Sequence, residues 1–257
     1  MLQGKAMRQR PWATTQGVSL KGAWQGIAWK KVQRHVFRLQ KRIDRAAQRE
    51  EVSTVHKLQK LLVKSWYARR LAVRRVTQDN RGKHTAGIDG VKPLTPPQRW
   101  RLANEMPLDG TATALRRSWI PKRGARTEKR PLGIPTQADR ARQTVVRQAL
   151  EPAWEAKRSP HPSGFRPGRS CHDAIGALFT AIRFRPHYAL KLDIAKGFDR
   201  IDHQARLAKV PAPPRIRRQL QAWLQAGILD EGHLSPTTAG TPQGGSGTLP
   251  TKWQICW

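Results

Sequence analysis

Cysteine is scarce in this sequence, which argues against a domain built around a structural zinc site. The cysteines are Cys171 and Cys256 alone, and no CxxC pair or Cys/His group has the spacing of a structural zinc site. Apolar runs are short as well, since none approaches the roughly 20 residues that a membrane-spanning helix needs. The first residues, 1–8, lack the apolar core of a signal peptide. We therefore expect a cytoplasmic protein with no membrane partner.

Acidic residues are also few. Aspartate and glutamate total 17 against 49 lysines and arginines, which gives a formal net charge of +32. Such an excess repels itself in a compact chain, so it indicates a polyanionic partner. Nucleic acid fits best, because each neutralised phosphate releases condensed counterions. A basic protein on a membrane surface is the alternative, and it would carry amphipathic helices with a continuous apolar face.

Residues 24–76 carry apolar side chains at steps of three and four, which predicts two helices joined near residues 50–53. The apolar positions are Val32, Val36, Leu39, Ile43, Val55, Leu58, Leu62 and Trp66. The basic positions between those of the first helix are Lys30, Lys31, Arg34, Arg38, Lys41, Arg42 and Arg45. We interpret the apolar stripe as core and the basic face as the functional surface, with an ordinary solvated face as the alternative.

Further along, the pattern changes to a small sheet and then returns to helices. Residues 115–124 and 130–136 read as two strands of a basic hairpin, which prolines confine to the edge of a sheet. Helical spacing follows in 139–155, 171–184 and 215–225, with a buried strand leading into Asp193. This order predicts an α+β fold.

Two segments have the composition of a phosphoryl-transfer site. Asp193 follows Leu190-Lys-Leu, and a carboxylate among apolar residues is costly to bury unless a metal or partner neutralises it. Residues 242–245, Pro-Gln-Gly-Gly, form a turn where backbone can approach a ligand closely. Lys122 and Arg130, on opposite arms of the hairpin, are placed to clamp a triphosphate. Taken singly, each has an ordinary alternative: a capping aspartate, a simple turn and a solvated edge.

The order of these motifs identifies a family. The sequence contains Trp119-Ile-Pro-Lys, Arg130-Pro-Leu-Gly-Ile-Pro-Thr, Asp139-Arg, Leu150-Glu-Pro, Gly164-Phe-Arg-Pro-Gly-Arg-Ser, Asp193-Ile-Ala-Lys-Gly-Phe-Asp and Gly240-Thr-Pro-Gln-Gly-Gly. In this order they resemble bacterial group II intron reverse transcriptases over residues 24–245. The resemblance implies a helical N-terminal domain followed by an incomplete right-hand polymerase fingers and palm. An unrelated basic structural protein, such as a ribosomal one, would not explain the ordered motifs.

The resemblance also implies roles for particular residues. Asp193 would be the first catalytic carboxylate and a Mg²⁺ ligand, with the carbonyl of Ile194 in the same metal shell. The other implied contacts are Lys122 and Arg130 with the phosphates of a dNTP, Phe198 under its sugar, Gln243 and Gly244 beside the nucleotide, and Arg166 and Arg169 near the template path. The basic helices, through Lys30, Lys31, Arg34 and Arg38, would bind group II intron RNA, while the palm would bind an RNA or DNA template–primer.

The sequence also departs from this family. Polymerases of this type have a Tyr/Phe-x-Asp-Asp hairpin after the Pro-Gln-Gly-Gly loop, and no Asp-Asp pair occurs in the 257 residues. We divide the chain into a flexible tail (1–22), an N-terminal helical domain (23–105), fingers and partial palm (106–245) and an aberrant tail (246–257). A shifted reading frame would explain the last segment. We expect no polymerisation by this chain alone, and the alternative function is that of a non-catalytic RNA-binding protein.

Overall fold

The computed structural model describes residues 20–92, 94–121, 128–157, 168–184, 188, 190, 192 and 199–241. Its described helices are α1 (Leu20–Gln25), α2 (Trp29–Gln48), α3 (Val52–Lys64), α4 (Trp66–Arg74), α5 (Pro96–Asn104), α6 (Gln137–Lys157), α7 (Cys171–Ile182), α8 (His203–Lys209) and α9 (Pro214–Leu224). A π-helical turn (Arg75–Asp79) and a 3-10 turn (Arg81–His84) follow α4. The described strands are β1 (Leu115–Pro121), β2 (Lys129–Ile134), β3 (Ile228–Asp230) and β4 (His233–Ser235). The fold is therefore α+β, as the sequence predicted.

The predicted helical run after residue 53 is interrupted at Ser65. This residue has extended backbone, with φ −62° and ψ 127°, and it separates α3 from α4. Seven of the eight predicted apolar positions are buried, but Trp66 is 43% exposed. The prediction of a core position for Trp66 was wrong because the break at Ser65 ends the helical register that the spacing assumed.

One hydrophobic core joins the N-terminal helices to the later part of the chain. The apolar face of α2 packs against α6, and α3 and α4 pack against the same helix. Val145, Val146, Ala149 and Leu150 of α6 are at most 2% exposed and belong to the same buried cluster as Ile43 and Leu62. This cluster also includes Ile216 and Trp223 of α9. The core is thus continuous across residue 105, where the sequence analysis placed a domain boundary.

The described sheet has the strand order β2-β1-β3-β4. β1 and β2 form the predicted antiparallel hairpin, with Ile120 opposite Arg130. β1 is not an edge strand at its start, because Leu115 and Arg116 pair in parallel with Ile228 and Leu229 of β3. Pro121 lies at the far end of β1, opposite Lys129 of β2 and beyond the residues that pair with β3, so its missing N–H interrupts no bond to β3.

A buried arginine joins α4 to α5. The Arg70 guanidinium carbon lies 3.6 Å from the ring centroid of Trp66 and 4.4 Å from that of Trp100. Its Nη2 donates to Asn104 Oδ1 at 2.9 Å, and the residue is 2% exposed. Burial lowers the pKa of Arg70 to about 10, and the neighbouring Arg69 adds to the lowering. Stacking on aromatic rings partly replaces the hydration that the cation has lost.

Asp139 connects the start of α6 to two other segments. It is 1% exposed and accepts hydrogen bonds from the Thr113 backbone N–H at 3.0 Å and from Trp223 Nε1 at 3.3 Å. Arg142 Nη1 donates to the same carboxylate at 3.2 Å, and Thr136 Oγ1 lies 3.3 Å from it. A buried carboxylate is stable only with such partners. Asp139 therefore joins Thr113, just before β1, and Trp223 of α9 to the start of α6.

Candidate nucleic-acid and polymerase site

The predicted basic face of α2 is exposed along the whole helix. We define the α2 basic face as Lys30, Lys31, Arg34, Arg38, Lys41, Arg42 and Arg45, all of which are exposed. At 3.6 residues per turn these positions fall within one arc of about 120°, opposite the arc of Val32, Val36, Leu39 and Ile43. Among the described residues, none of the seven forms an ion pair. The helix therefore presents a stripe of uncompensated positive charge to solvent.

The fingers hairpin presents one of its two predicted phosphate contacts. Arg130 of β2 is exposed and faces away from the core at the outer edge of the sheet. Lys122, its predicted partner, lies outside the described residues. Trp119 Nε1 of β1 donates to Asp230 Oδ1 of β3 at 3.3 Å, which links the hairpin to the C-terminal strands.

The loop before the fingers is bound tightly to the start of α6. Arg140 Nη1 and Nη2 donate to the carbonyls of Gly82 and Thr85 at 2.9 and 2.7 Å, and its Nε donates to Pro135 at 2.9 Å. Burial lowers the pKa of Arg140, and the nearby Asp89 carboxylate partly offsets this lowering. A Cβ at Gly87 would lie 2.7 Å from the Cα of Thr136, so glycine permits this close contact. Sequence analysis quoted the Asp139-Arg motif but did not predict this role for its arginine.

Arg169 is exposed immediately before α7. The helix begins with a capping box in which Ser170 and Asp173 exchange hydrogen bonds, the Ser170 N–H donating to Asp173 Oδ2. These bonds lower the pKa of Asp173, with the Ser170 hydroxyl as the largest cause. Arg166, the other predicted template contact, lies outside the described residues.

The predicted palm residues Asp193, Ile194, Phe198, Gln243 and Gly244 lie outside the described residues. The prediction of a buried strand leading into Asp193 is wrong at the positions that are described, because Tyr188, Leu190 and Leu192 are 107%, 81% and 80% exposed and belong to no strand. After Asp193, the described chain resumes at Asp199, which contacts Gly240. Gly240 has a φ of +78°, and a Cβ there would lie 2.7 Å from the carbonyl oxygen of Asp199. The Gly240 N–H donates to the Ile201 carbonyl at 2.8 Å. The fold thus brings Asp199, the last residue of the Asp193 motif, beside Gly240, the first residue of the Gly-Thr-Pro-Gln-Gly-Gly motif. A glycine before Thr-Pro-Gln was the available sequence signal for this contact.

Asp202 caps α8. Its Oδ1 accepts from the Ala205 backbone N–H at 2.6 Å, at the first turn of α8. Within the described ranges, no group of three or more His, Cys, Asp or Glu side chains could hold a metal ion. Among the described helices, none is both long enough and apolar enough to cross a membrane.

Comparison with known protein families shows which family this chain belongs to. The family model described as reverse transcriptase (RNA-dependent DNA polymerase) matches residues 120–256, which is more than half of the chain. The chain belongs to the reverse transcriptase family. A second model, the N-terminal domain of reverse transcriptase, matches residues 24–106. The first match includes the segment 246–256 that the sequence analysis assigned to an aberrant tail.

The individual relatives of this family member are longer than the chain. Protein YkfC of Escherichia coli (strain K12) is 33% identical over 186 residues, which cover 66% of this chain and 48% of YkfC. The group II intron-encoded protein LtrA of Lactococcus lactis subsp. cremoris is 35% identical over 145 residues, or 53% of this chain and 23% of LtrA. Maturase-like protein 1 of Euglena gracilis is 29% identical over 219 residues, 80% of this chain and 46% of that protein. The chain spans half or less of the length of each.

Proposed function

We propose that this chain is the N-terminal and fingers–palm portion of a group II intron-type reverse transcriptase, and that it binds structured intron RNA through the α2 basic face. The observation that carries this is the stripe of exposed, unpaired cations on one helix of a reverse transcriptase family member. Two relatives named as a group II intron-encoded protein and a maturase-like protein support the intron assignment. We keep the proposed division into an N-terminal domain (23–105) and fingers with partial palm (106–245).

RNA suits this surface for physical reasons. The cations lie along about 24 Å of helix, at 1.5 Å per residue, and a straight stripe of charge can follow one groove edge of a duplex. Folded RNA offers phosphates and 2′-hydroxyls as its main contacts. Contacts of that kind set affinity and position without reading base sequence.

For nucleotidyl transfer, we propose that Asp193 and the Ile194 carbonyl are ligands of Mg²⁺ in the palm. Bound there, the ion would hold the reacting oxygens in line and offset phosphate charge. Lys122 and Arg130 would contact the dNTP phosphates, and Phe198, Gln243 and Gly244 would contact the rest of the nucleotide. Arg166 and Arg169 would lie along the template strand. The contact of Gly240 with Asp199 supports this proposal, because it joins the first residue of one motif to the last residue of the other.

A second candidate function is RNA binding without catalysis. It is favoured by a specific contrast: the α2 basic face is complete in the described residues, whereas a paired acid motif for a two-metal site is absent from the 257-residue sequence. A two-metal site needs several converging carboxylates, and residues 1–257 offer Asp193 as the one candidate that the motifs identify.

Salt-dependent RNA binding tests the proposed function. The variant carries Lys30, Lys31, Arg34 and Arg38 replaced by Gln, and the control carries the same change at Lys57, Lys60, Lys64 and Arg101, which are exposed on other helices. We expect the α2 variant to lose roughly three units of the slope of log affinity against log salt, at about 0.7–0.9 per phosphate contact. The control is expected to lose less than one. An equal loss in both variants would show that charge alone, without the α2 surface, determines binding.

A further inference from the structure

A row of three aromatic side chains lies on the surface formed by α2 and α4. The His35 ring of α2 stacks on the Tyr67 ring of α4, with centroids 4.1 Å apart and planes inclined by 30°. Tyr67 also contacts Trp66 nearly at right angles, with centroids 5.1 Å apart. We call His35, Tyr67 and Trp66 the aromatic ledge. His35 and Trp66 are exposed and Tyr67 is half-buried, so part of this row is open to solvent.

The aromatic ledge adjoins one edge of the α2 basic face. At 3.6 residues per turn, His35 falls about 20° beyond Arg42, the last cation on that side of the arc. Lys31 lies four residues before His35 and Arg38 lies three residues after it, so the three side chains are neighbours on the helix surface. Because α4 packs against α2, the surface continues from the cations of α2 to the rings of α4.

Trp66 is supported from within the protein by a buried cation. The Arg70 guanidinium carbon lies 3.6 Å from the Trp66 ring centroid, and Arg70 is buried. Trp100 meets the Trp66 ring at an angle of 81°, with centroids 6.4 Å apart. Trp66 is nonetheless exposed. A ring that is already held in place and still open loses little conformational entropy when a flat ligand stacks on it.

This combination of cations and open rings fits one class of ligand, an RNA with unpaired bases. The cations of the α2 basic face neutralise phosphates, and unpaired bases stack on aromatic side chains, histidine included. Every base has a π-face, so such stacking tolerates any sequence. A continuous duplex would contact the cations but would leave the rings unused, because its bases are already stacked on one another.

We propose that the aromatic ledge stacks unpaired bases of the RNA whose phosphates contact the α2 basic face. The surface then recognises a place where a paired stem opens into a single strand, without regard to base identity. Phosphates at the end of the stem would lie on Lys31 and Arg38. The first unpaired bases would stack on the open surfaces of His35 and Trp66. The inference rests on RNA being the partner, as proposed above.

Three RNAs that share one stem test this proposal. The first carries a short unpaired extension of uridines, the second has abasic residues in that extension, and the third has phenyl nucleosides there, which stack but cannot hydrogen-bond. We expect the full 257-residue chain to bind the uridine and phenyl forms about tenfold or more tighter than the abasic form, from stacking of at least one base. The abasic extension keeps every phosphate, so the salt slope should be the same for all three.

Two outcomes with these RNAs would overturn the proposal without any change to the protein. Equal affinity for the uridine and abasic forms would show that no base is stacked. A phenyl form that binds no better than the abasic form would show that the bases are held by hydrogen bonds and not by their ring faces.

Substitutions on α2 assign the preference to the aromatic ledge. His35→Gln removes the ring and keeps hydrogen-bonding groups, so the ratio of uridine to abasic affinity should fall by about fivefold or more. His35→Phe keeps a ring that can stack and should preserve the ratio. Phe37→Gln is the matched control, because Phe37 is also exposed on α2 but falls about 20° beyond Lys30, at the opposite edge of the basic face. An unchanged ratio in His35→Gln, a loss of the ratio in His35→Phe, or a similar loss in Phe37→Gln would contradict the proposal.

The same measurements separate this inference from the proposed function. Salt-sensitive binding of all three RNAs with no preference for the uridine form contradicts the stacking role of the aromatic ledge alone. Absence of salt-sensitive binding to every one of them contradicts both the RNA-binding function and the inference that rests on it.

Discussion

His203 Nε2 lies 2.7 Å from the carbonyl oxygen of Gly240 and donates a hydrogen bond to it across 37 residues of sequence. His203 is the first residue of α8 and is buried. With the Gly240 N–H bound to Ile201, both backbone polar groups of Gly240 are satisfied by the segment that follows the Asp193 motif. The position of Gly240 therefore depends on how α8 begins.

Replacing Gly240 with alanine should destabilise this contact strongly. The new Cβ would lie 2.7 Å from the Asp199 carbonyl oxygen, and the alanine would have to keep the backbone φ of +78°. We expect Gly240→Ala to lower the free energy of unfolding by about 2–4 kcal/mol, from overpacking together with left-handed strain. Urea denaturation followed by circular dichroism measures this change.

Gly232→Ala is the matched control for that measurement. Gly232 has a φ of +89° in the turn between β3 and β4, and a Cβ there meets nothing within 4 Å. It should cost about 1–2 kcal/mol, from backbone strain alone. Equal losses at the two positions would mean that the contact between Gly240 and Asp199 contributes nothing.

Removing the Asp139 carboxylate should weaken the joint between α6 and α9. Asp139→Ala leaves Trp223, Arg142 and the Thr113 N–H without their acceptor, so we expect a loss of about 3–5 kcal/mol in the free energy of unfolding. Asp44→Ala removes an exposed carboxylate that accepts from Gln48 on α2, and it should change the free energy of unfolding by about 0.5 kcal/mol or less. A loss below about 1 kcal/mol for Asp139→Ala would contradict the role given to this residue.

Arg70 should tolerate an apolar replacement better than a lysine. Lysine keeps a buried charge but cannot stack a planar group on Trp66 and Trp100 or reach Asn104 with the same geometry. We expect Arg70→Lys to lower the free energy of unfolding by about 1–3 kcal/mol, as measured by chemical denaturation. Arg70→Met fills the same space without a charge to desolvate, so it should cost less. The reverse order would show that the positive charge, more than the stacking, stabilises the joint between α4 and α5.

The polypeptide of 257 residues should not synthesise DNA by itself. Loss of core catalytic groups lowers rates by several powers of ten, and these 257 residues contain no Asp-Asp pair to complete the metal site proposed at Asp193. Primer extension on an RNA template with Mg²⁺ and dNTPs measures this, with Asp193→Ala as the background control. Extension by the wild-type chain that Asp193→Ala abolishes would show that the prediction is wrong.

Local patterns predicted much of the fold. The 3.6-residue spacing of Val32, Val36, Leu39 and Ile43 predicted α2 with its buried and basic faces, because a helix rotates each side chain by a constant angle. The proline-bounded runs around Trp119 and Leu132 predicted the hairpin of β1 and β2. The short strands β3 and β4 were not predicted, since three residues carry too little pattern to stand out from a loop.

The sequence by itself therefore determined the helices α2, α6, α7 and α9, the hairpin, the family and the surface on which positive charge collects, because each of these follows from local spacing or from ordered motifs. Tertiary structure alone decided which polar residues become buried. Asp139, Arg70 and Gln148 look like ordinary surface residues in the sequence, but all three are buried. Their environments arise only when helices distant along the chain pack together, and packing fixes both their burial and their partners.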